Sequence, residues 1–149
     1  MPSTLIQTIE QLADPTVTYD TERMIITLSV IVTLAEGAKE VTITAAPVTI
    51  PKDAWTLIWD LVVDTPGLVA NFADHGIVLL PPLPPKVTVV EGPSSVSPSR
   101  WTATFQNEVL NTNAFSYDIA VDWSHGATEV LVRTTVHDPT IVVTKDPIG

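Results

Sequence analysis

Residues 115–123, Phe-Ser-Tyr-Asp-Ile-Ala-Val-Asp-Trp, alternate large apolar side chains with small or polar ones along their whole length. Successive side chains of an extended chain point to opposite faces, so this pattern predicts a β-strand with one buried and one wet face. Residues 24–35 and 55–63 show the same alternation, and turn sequences containing Gly or Pro separate such runs. We expect about nine or ten strands, with residues 24–44 forming an antiparallel hairpin.

The spacing of these strands predicts the architecture. Strands do not alternate with helices, so a parallel sheet built from βαβ units is disfavoured. One-sided strands must bury their apolar face against another layer, and we therefore predict an all-β fold, a two-sheet antiparallel β-sandwich. Residues 81–85, Pro-Pro-Leu-Pro-Pro, are typical of a stiff crossing from one sheet to the other. An up-and-down barrel fits less well, because this segment and the loop 91–99 are long connections.

The predicted arrangement is similar in general look to immunoglobulin-like sandwiches. The chain has no cysteine, so it lacks the Cys…Trp…Cys framework that marks true immunoglobulin domains. The resemblance therefore implies an architecture, and no functional residue follows from it.

The N-terminal segment is the one plausible helix. Its apolar residues recur near helical spacing: Leu5, Ile6, Ile9 and Leu12. Ser3 is suited to cap such a helix, whereas the β-branched Thr4 and Thr8 favour a strand as the alternative. We predict a single domain over residues 1–149, with residues 1–13 as an N-terminal helix or arm.

The charge balance excludes several classes of partner. The 149 residues include 17 Asp and Glu against 7 Lys and Arg, a formal net charge of −10. Nucleic acids and anionic membrane surfaces attract cationic proteins, so we expect neither as a partner. The N-terminus has no signal-peptide pattern and no apolar run is long enough to span a bilayer. A cytoplasmic location is the expectation, with export that needs no cleaved signal left open.

No catalytic or cofactor motif is present. The sequence has no G-x-S-x-G, no H-E-x-x-H and no Gly-rich phosphate loop, and without cysteine it has no thiol nucleophile. His75, His125 and His137 fall singly in predicted turns, and the adjacent Ser124 and His125 do not make a catalytic triad. We therefore expect no enzymatic activity and no cofactor.

Four aspartates are the candidate metal ligands. Asp60 and Asp64 share the outward side of one predicted strand, and Asp118 and Asp122 share that of another. If the two strands pair, four carboxylates crowd one face, which would favour a hard cation such as Ca²⁺. No calcium-loop pattern accompanies them, so a solvated outer face is the main expectation and a hydrolase built on these carboxylates ranks last.

Aromatic residues follow the apolar side of their strands. This holds for Trp55, Trp59, Trp101 and Trp123. The pattern predicts core packing rather than a platform on which sugar rings stack.

Several strands also carry apolar residues on the side expected to be polar: Ile25, Ile31, Ile58, Val62 and Val90. Strands that are apolar on both sides need a second cover. We predict a structural, non-enzymatic protein that acts through protein–protein contacts, as a homo-oligomer or a subunit of a larger assembly. Residues 5–12 are a further interface candidate. The alternative is a sandwich that binds a small ligand or carbohydrate, assisted by Ca²⁺ on the acidic face.

Overall fold

The computed structural model describes residues 16–126, 130–137 and 139–147. Within these ranges the chain is all-β, and its strands confirm the predicted fold class. The strands are β1 (Val17–Asp20), β2 (Ile25–Thr33), β3 (Thr42–Thr44), β4 (Val48–Ile50), β5 (Asp53–Val63), β6 (Leu68–Leu79), β7 (Val87–Ser97), β8 (Arg100–Asn107), β9 (Asn113–His125), β10 (Val132–Val136) and β11 (Thr140–Val143). The predicted N-terminal helix, with Leu5, Ile6, Ile9 and Leu12, lies outside the described residues.

The first sheet has six strands in the order β1, β2, β5, β8, β7, and β3 also pairs with β2. β1 and β3 lie one after the other along β2, and the antiparallel β2–β3 pairing confirms the hairpin predicted over residues 24–44. β2 and β5 run parallel. The alternation of side chains gives no information on strand direction, so this parallel pair was not predicted.

The second sheet has five strands and is built around β9. β6 pairs with one edge of β9, and β10 and β11 pair with the other. β4 lies beyond β11 and runs parallel to it. β10 and β11 act as one interrupted strand, because the pairing with β9 shifts by a single residue between Val136↔Ile119 and Thr140↔Ser116.

The core is formed by the inward side chains of the two sheets. Trp59 of β5 and Tyr117 of β9 meet edge to face with ring centroids 5.5 Å apart, and both side chains are fully buried. All four tryptophans lie in this core. Core packing is therefore confirmed, and no tryptophan is available as a stacking platform for sugars.

Along the described strands the chain passes between the two sheets five times, and the connections at residues 81–85 and 45–47 are two of these crossings. Residues 81–85 connect β6 in the second sheet to β7 in the first, which confirms the predicted proline-rich crossing. Residues 45–47 connect β3 in the first sheet to β4 in the second. The sheets are thus joined by main chain as well as by packing.

One buried amide fastens the two sheets together. Asn107, at the end of β8, is fully buried, and its Nδ2 donates to the carbonyls of Ile50, Pro51 and Thr144 at 3.0, 2.9 and 3.0 Å. Its Oδ1 accepts from the backbone N–H of Val109 at 3.2 Å. A first-sheet residue therefore satisfies main-chain groups at the ends of two second-sheet strands, β4 and β11.

We expect Asn107→Ala to lower the free energy of unfolding by about 2–3 kcal/mol, because the carbonyls of Pro51 and Thr144 lose their side-chain donor. The carbonyl of Ile50 keeps the N–H of Thr144. Urea denaturation measures this loss. The matched control is Gln106→Ala, whose side chain bonds the exposed Glu108 and whose loss should stay within about 0.5 kcal/mol. Equal losses in the two variants would contradict the role given to Asn107.

The chain has two tyrosines, and burial raises the pKa of Tyr19 to about 12 and that of Tyr117 to about 12, from an ordinary 10.0. The folded state thus favours the neutral phenol, so stability is constant below the ordinary pKa and falls as the pH rises towards the folded value. In a spectrophotometric titration we expect phenolate to appear only well above pH 10.0. Denatured protein is the control and should titrate near the ordinary pKa. A native protein that titrates there would be inconsistent with this core.

Candidate functional site

Of the apolar residues predicted as interface candidates, the four on β2 and β5 lie on one surface, the outside of the first sheet. The parallel register of β2 and β5 places Ile31 beside Val62, and Ile58 beside Thr27. Ile25, Ile31 and Ile58 are half-buried, and Val62 is 42% exposed. We call this surface the aliphatic face and define it by Ile25, Ile31, Ile58 and Val62.

The surroundings of the aliphatic face are polar and carry few charges. β2 places no charged side chain on this face and β5 places one, Asp60. The neighbouring strands add Asp20 opposite Ile25 and Glu91 opposite Thr104. Arg100 of β8 binds Asp60 through two hydrogen bonds, Nε to Oδ1 at 2.6 Å and Nη2 to Oδ2 at 2.9 Å. The same bond and charge raise the pKa of Arg100 above its ordinary value. Threonines fill much of the remainder, and Thr56 and Thr104 share a hydrogen bond of 3.0 Å.

The outside of the second sheet has the opposite character. Arg133 of β10 binds Asp122 of β9, Nε to Oδ1 at 2.7 Å and Nη2 to Oδ2 at 2.9 Å. On the same side of β9, Asp118 Oδ1 lies 2.8 Å from His137 Nδ1. The hydrogen bond from Arg133 holds the pKa of Asp122 below its ordinary value, opposed by partial burial. We call this surface the charged face, defined by Asp118, Asp122, Arg133 and His137.

The four candidate metal ligands do not converge. Asp60 and Asp64 belong to the first sheet and its following turn, whereas Asp118 and Asp122 belong to the second sheet, so the crowded acidic face is a wrong expectation. Three of the four carboxylates bind an arginine or a histidine instead. Throughout the described ranges, no three His, Asp or Glu side chains are grouped to hold a metal ion. Alternation assigns a residue to a face of its strand but not to a sheet.

The histidines are dispersed. His137 pairs with Asp118 across two strands, while its neighbour Asp138 lies outside the described residues. Ser124 stands opposite Val69 and His125 stands opposite Leu68, so the adjacent Ser and His point to opposite faces of β9. This geometry does not join them as nucleophile and base.

Asn107 is the residue that the sequence analysis missed. It follows Trp101, Ala103 and Phe105 at every second position, all of them buried. A polar side chain at an inward position must find partners inside the protein. That periodicity was the available signal, and it was overlooked because residues 107–113 resemble a polar turn.

The sequence matches no protein-family model and no curated protein. The structure is similar to a crystal structure of a cysteine protease inhibitor from Entamoeba histolytica, with 15% identity over 79% of this chain and 95% of that chain and a TM-score of 0.20. A likeness of this extent carries no argument about what this chain binds. In the described part of the chain, no helix has the length and hydropathy that crossing a membrane requires.

We expect Asp122→Asn to lower the free energy of unfolding at neutral pH by about 0.5–1 kcal/mol, because it removes a two-bond ion pair at the surface. The pKa of Asp122 lies below its ordinary 3.8 in the folded state. The stabilisation is therefore present above that pH and disappears as the pH falls through the folded pKa. Unfolding measured across acid pH should show the two proteins converge.

Asp64→Asn is the matched control, because the Asp64 residue is exposed and its carboxylate is absent from the ion pairs found among the described residues. It should change stability little at any pH. A loss in Asp122→Asn that stays constant down to acid pH would rule out the ion pair as its cause.

Proposed function

We propose that this protein has no catalytic role and works through protein–protein contacts, as a homo-oligomer or a subunit of a larger assembly, with the aliphatic face as its contact surface. One observation carries the proposal: Ile25, Ile31, Ile58 and Val62 are grouped on two adjacent strands, outside the core. When the outer face of an antiparallel sheet contacts only solvent, its outward positions are normally occupied by polar residues.

The area of this face suits a protein partner. β2 has nine residues, which extend about 30 Å, and five neighbouring strands span about 24 Å. The sheet therefore offers about 700 Å², close to the roughly 800 Å² that each partner contributes to a standard interface.

The free energy gained by burying the aliphatic face is substantial, but it is not sufficient by itself for stable association. If each of the four side chains loses about 40 Å² of accessible surface, burial contributes about 4 kcal/mol per face. Two such faces contribute about 8 kcal/mol, comparable with the lower estimates of the entropic cost of association. The threonines around them must therefore also form contacts.

Net charge opposes contact between two copies, so a self-association surface needs charges that are compensated locally. Copies of a chain with a net charge of −10 repel one another. On the aliphatic face Arg100 neutralises Asp60, and Arg23 lies 3.9 Å from Asp20, which reduces this repulsion locally. An acidic protein is expected to self-associate where its surface is closest to neutral.

We expect Val62→Lys to weaken self-association strongly, because it places an unpaired charge in the contact. Val78→Lys is a closely matched control, since Val62 is 42% exposed and Val78 is 41% exposed, the latter on a strand of the second sheet. Sedimentation velocity at micromolar concentration measures the effect. The parent and Val78→Lys should sediment above the 16.1 kDa of one chain, and Val62→Lys should be reduced to smaller species.

Two results would count against the proposal. One is a parent protein that remains a 16.1 kDa monomer and captures no partner in pull-down experiments. The other is an equal effect of the two lysine substitutions, which would move the contact away from the aliphatic face. Thermal unfolding of both variants shows that each remains folded.

A further inference from the structure

The outer edge of β10 has no strand beside it among the described residues. β10 and β11 follow one another along β9, and β4 pairs with β11 alone. β4 therefore covers the outer edge of β11 but does not extend along the outer edge of β10. Among the described residues, this part of the edge of the second sheet can accept one more strand.

The direction of the β10 backbone groups follows from the register. The N–H of Tyr117 donates to the carbonyl of Pro139 at 3.1 Å, so odd-numbered residues of β9 direct their main-chain groups towards β10 and β11. In β10, Val132, Thr134 and Val136 stand opposite odd residues of β9 and bond to them. The amides and carbonyls of Arg133 and Thr135 consequently point away from β9.

β10 has few of the features that usually guard an edge, and its one charged residue, Arg133, is bound to Asp122. It contains no proline and no lysine, and four of its five residues are β-branched, in the sequence Val-Arg-Thr-Thr-Val. The residues before it, Val130 and Leu131, are 67% and 64% exposed. The edge strand of the first sheet differs, since β7 contains Pro93 and several register irregularities.

We propose that the outer edge of β10 pairs antiparallel with the same edge of a second copy of this chain, joining two second sheets into one continuous sheet. The twofold axis passes beside Thr134. In this register the outward groups of Arg133 bond to those of Thr135 in the second copy, and the converse pair forms by symmetry. This interface is separate from the aliphatic face and depends on the proposed function only in treating the chain as self-associating.

The charges along the edges of two identical strands are compatible with this register. It pairs all five residues of β10, with Val132 opposite Val136 and Arg133 opposite Thr135, so no like charges stand opposite each other. If the register is shifted by two residues in one direction, Arg133 stands opposite Arg133 of the second copy. If it is shifted by two residues in the other direction, Arg133 stands opposite His137 of the second copy. Both shifts also leave residues unpaired.

Glu40 gives the interface a further property. Thr134 Oγ1 donates to Glu40 Oε2 at 3.2 Å and accepts from Trp123 Nε1 at 2.9 Å. An axis beside Thr134 brings the Glu40 carboxylates of the two copies towards each other, so their repulsion opposes pairing. Glu40→Gln should therefore strengthen the dimer severalfold, and added salt should do so through screening.

Thr135→Pro is the direct test, because it removes an outward N–H and no bond to β9. It is made in the Val62→Lys background, in which the aliphatic face does not contribute, and Thr135→Ser is the control that retains the amide. By sedimentation we expect twice 16.1 kDa for Val62→Lys and for its Thr135→Ser form. The Thr135→Pro form should give one half of that mass, with an unchanged circular dichroism spectrum.

Hydrogen exchange of the parent provides a second measurement if the proline variant does not fold. The amides of Arg133 and Thr135 should become protected as protein concentration rises. Protection that does not depend on concentration would overturn the proposal, because it would assign the edge to another segment of the same chain. A mass unaffected by Thr135→Pro, or reduced equally by Thr135→Ser, would also overturn it. If only the aliphatic-face proposal fails, Val62→Lys has no effect whereas Thr135→Pro still does.

Discussion

The fold depends on the contact between the inward faces of two sheets, and Trp59 against Tyr117 lies in that contact. Both rings are fully buried, yet Trp59 Nε1 and the Tyr117 hydroxyl find no hydrogen-bond partner in the described part of the chain. The nearby Trp59 indole lowers the pKa of Tyr117 and so partly offsets the rise caused by burial. The indole Nε1 and the Tyr117 hydroxyl oxygen nevertheless do not have hydrogen-bond geometry. Each unpaired group costs about 1–3 kcal/mol, whereas a buried aromatic ring of about 200 Å² contributes about 5 kcal/mol. Apolar burial therefore outweighs the polar cost.

The two outer surfaces differ in chemistry although both belong to the same sandwich. On the first sheet the outward isoleucines lie together on β2 and β5. The carboxylate of Asp60 on β5 is paired with Arg100 on the neighbouring strand β8. The second sheet uses ion pairs to attach β10 to β9, with Arg133 bound to Asp122 and His137 to Asp118. These pairs occupy side chains, and within the described residues no further strand bonds to the main chain at the outer edge of β10.

Much of the fold could be predicted because side-chain alternation is a local property. Residues 115–123 and 55–63 are strands, the tryptophans on their apolar side are buried, and the segment 81–85 crosses between sheets. The partners of Asp60 and Asp122 could not be predicted, since they depend on which strands become neighbours. Strand order follows from crossovers between sheets, which leave no periodic signal. The grouping of Ile25, Ile31, Ile58 and Val62 was foreseeable only as a set of misplaced apolar residues, not as one surface.

The short crossing at residues 45–47 has a consequence for how the molecule comes apart. It passes from one sheet to the other within three residues, and Asn107 spans the gap between the same two sheets. Neither layer can therefore peel away while the other stays intact. Loss of structure on heating should be all-or-none, and the most slowly exchanging amides of both layers should open with one common free energy rather than two.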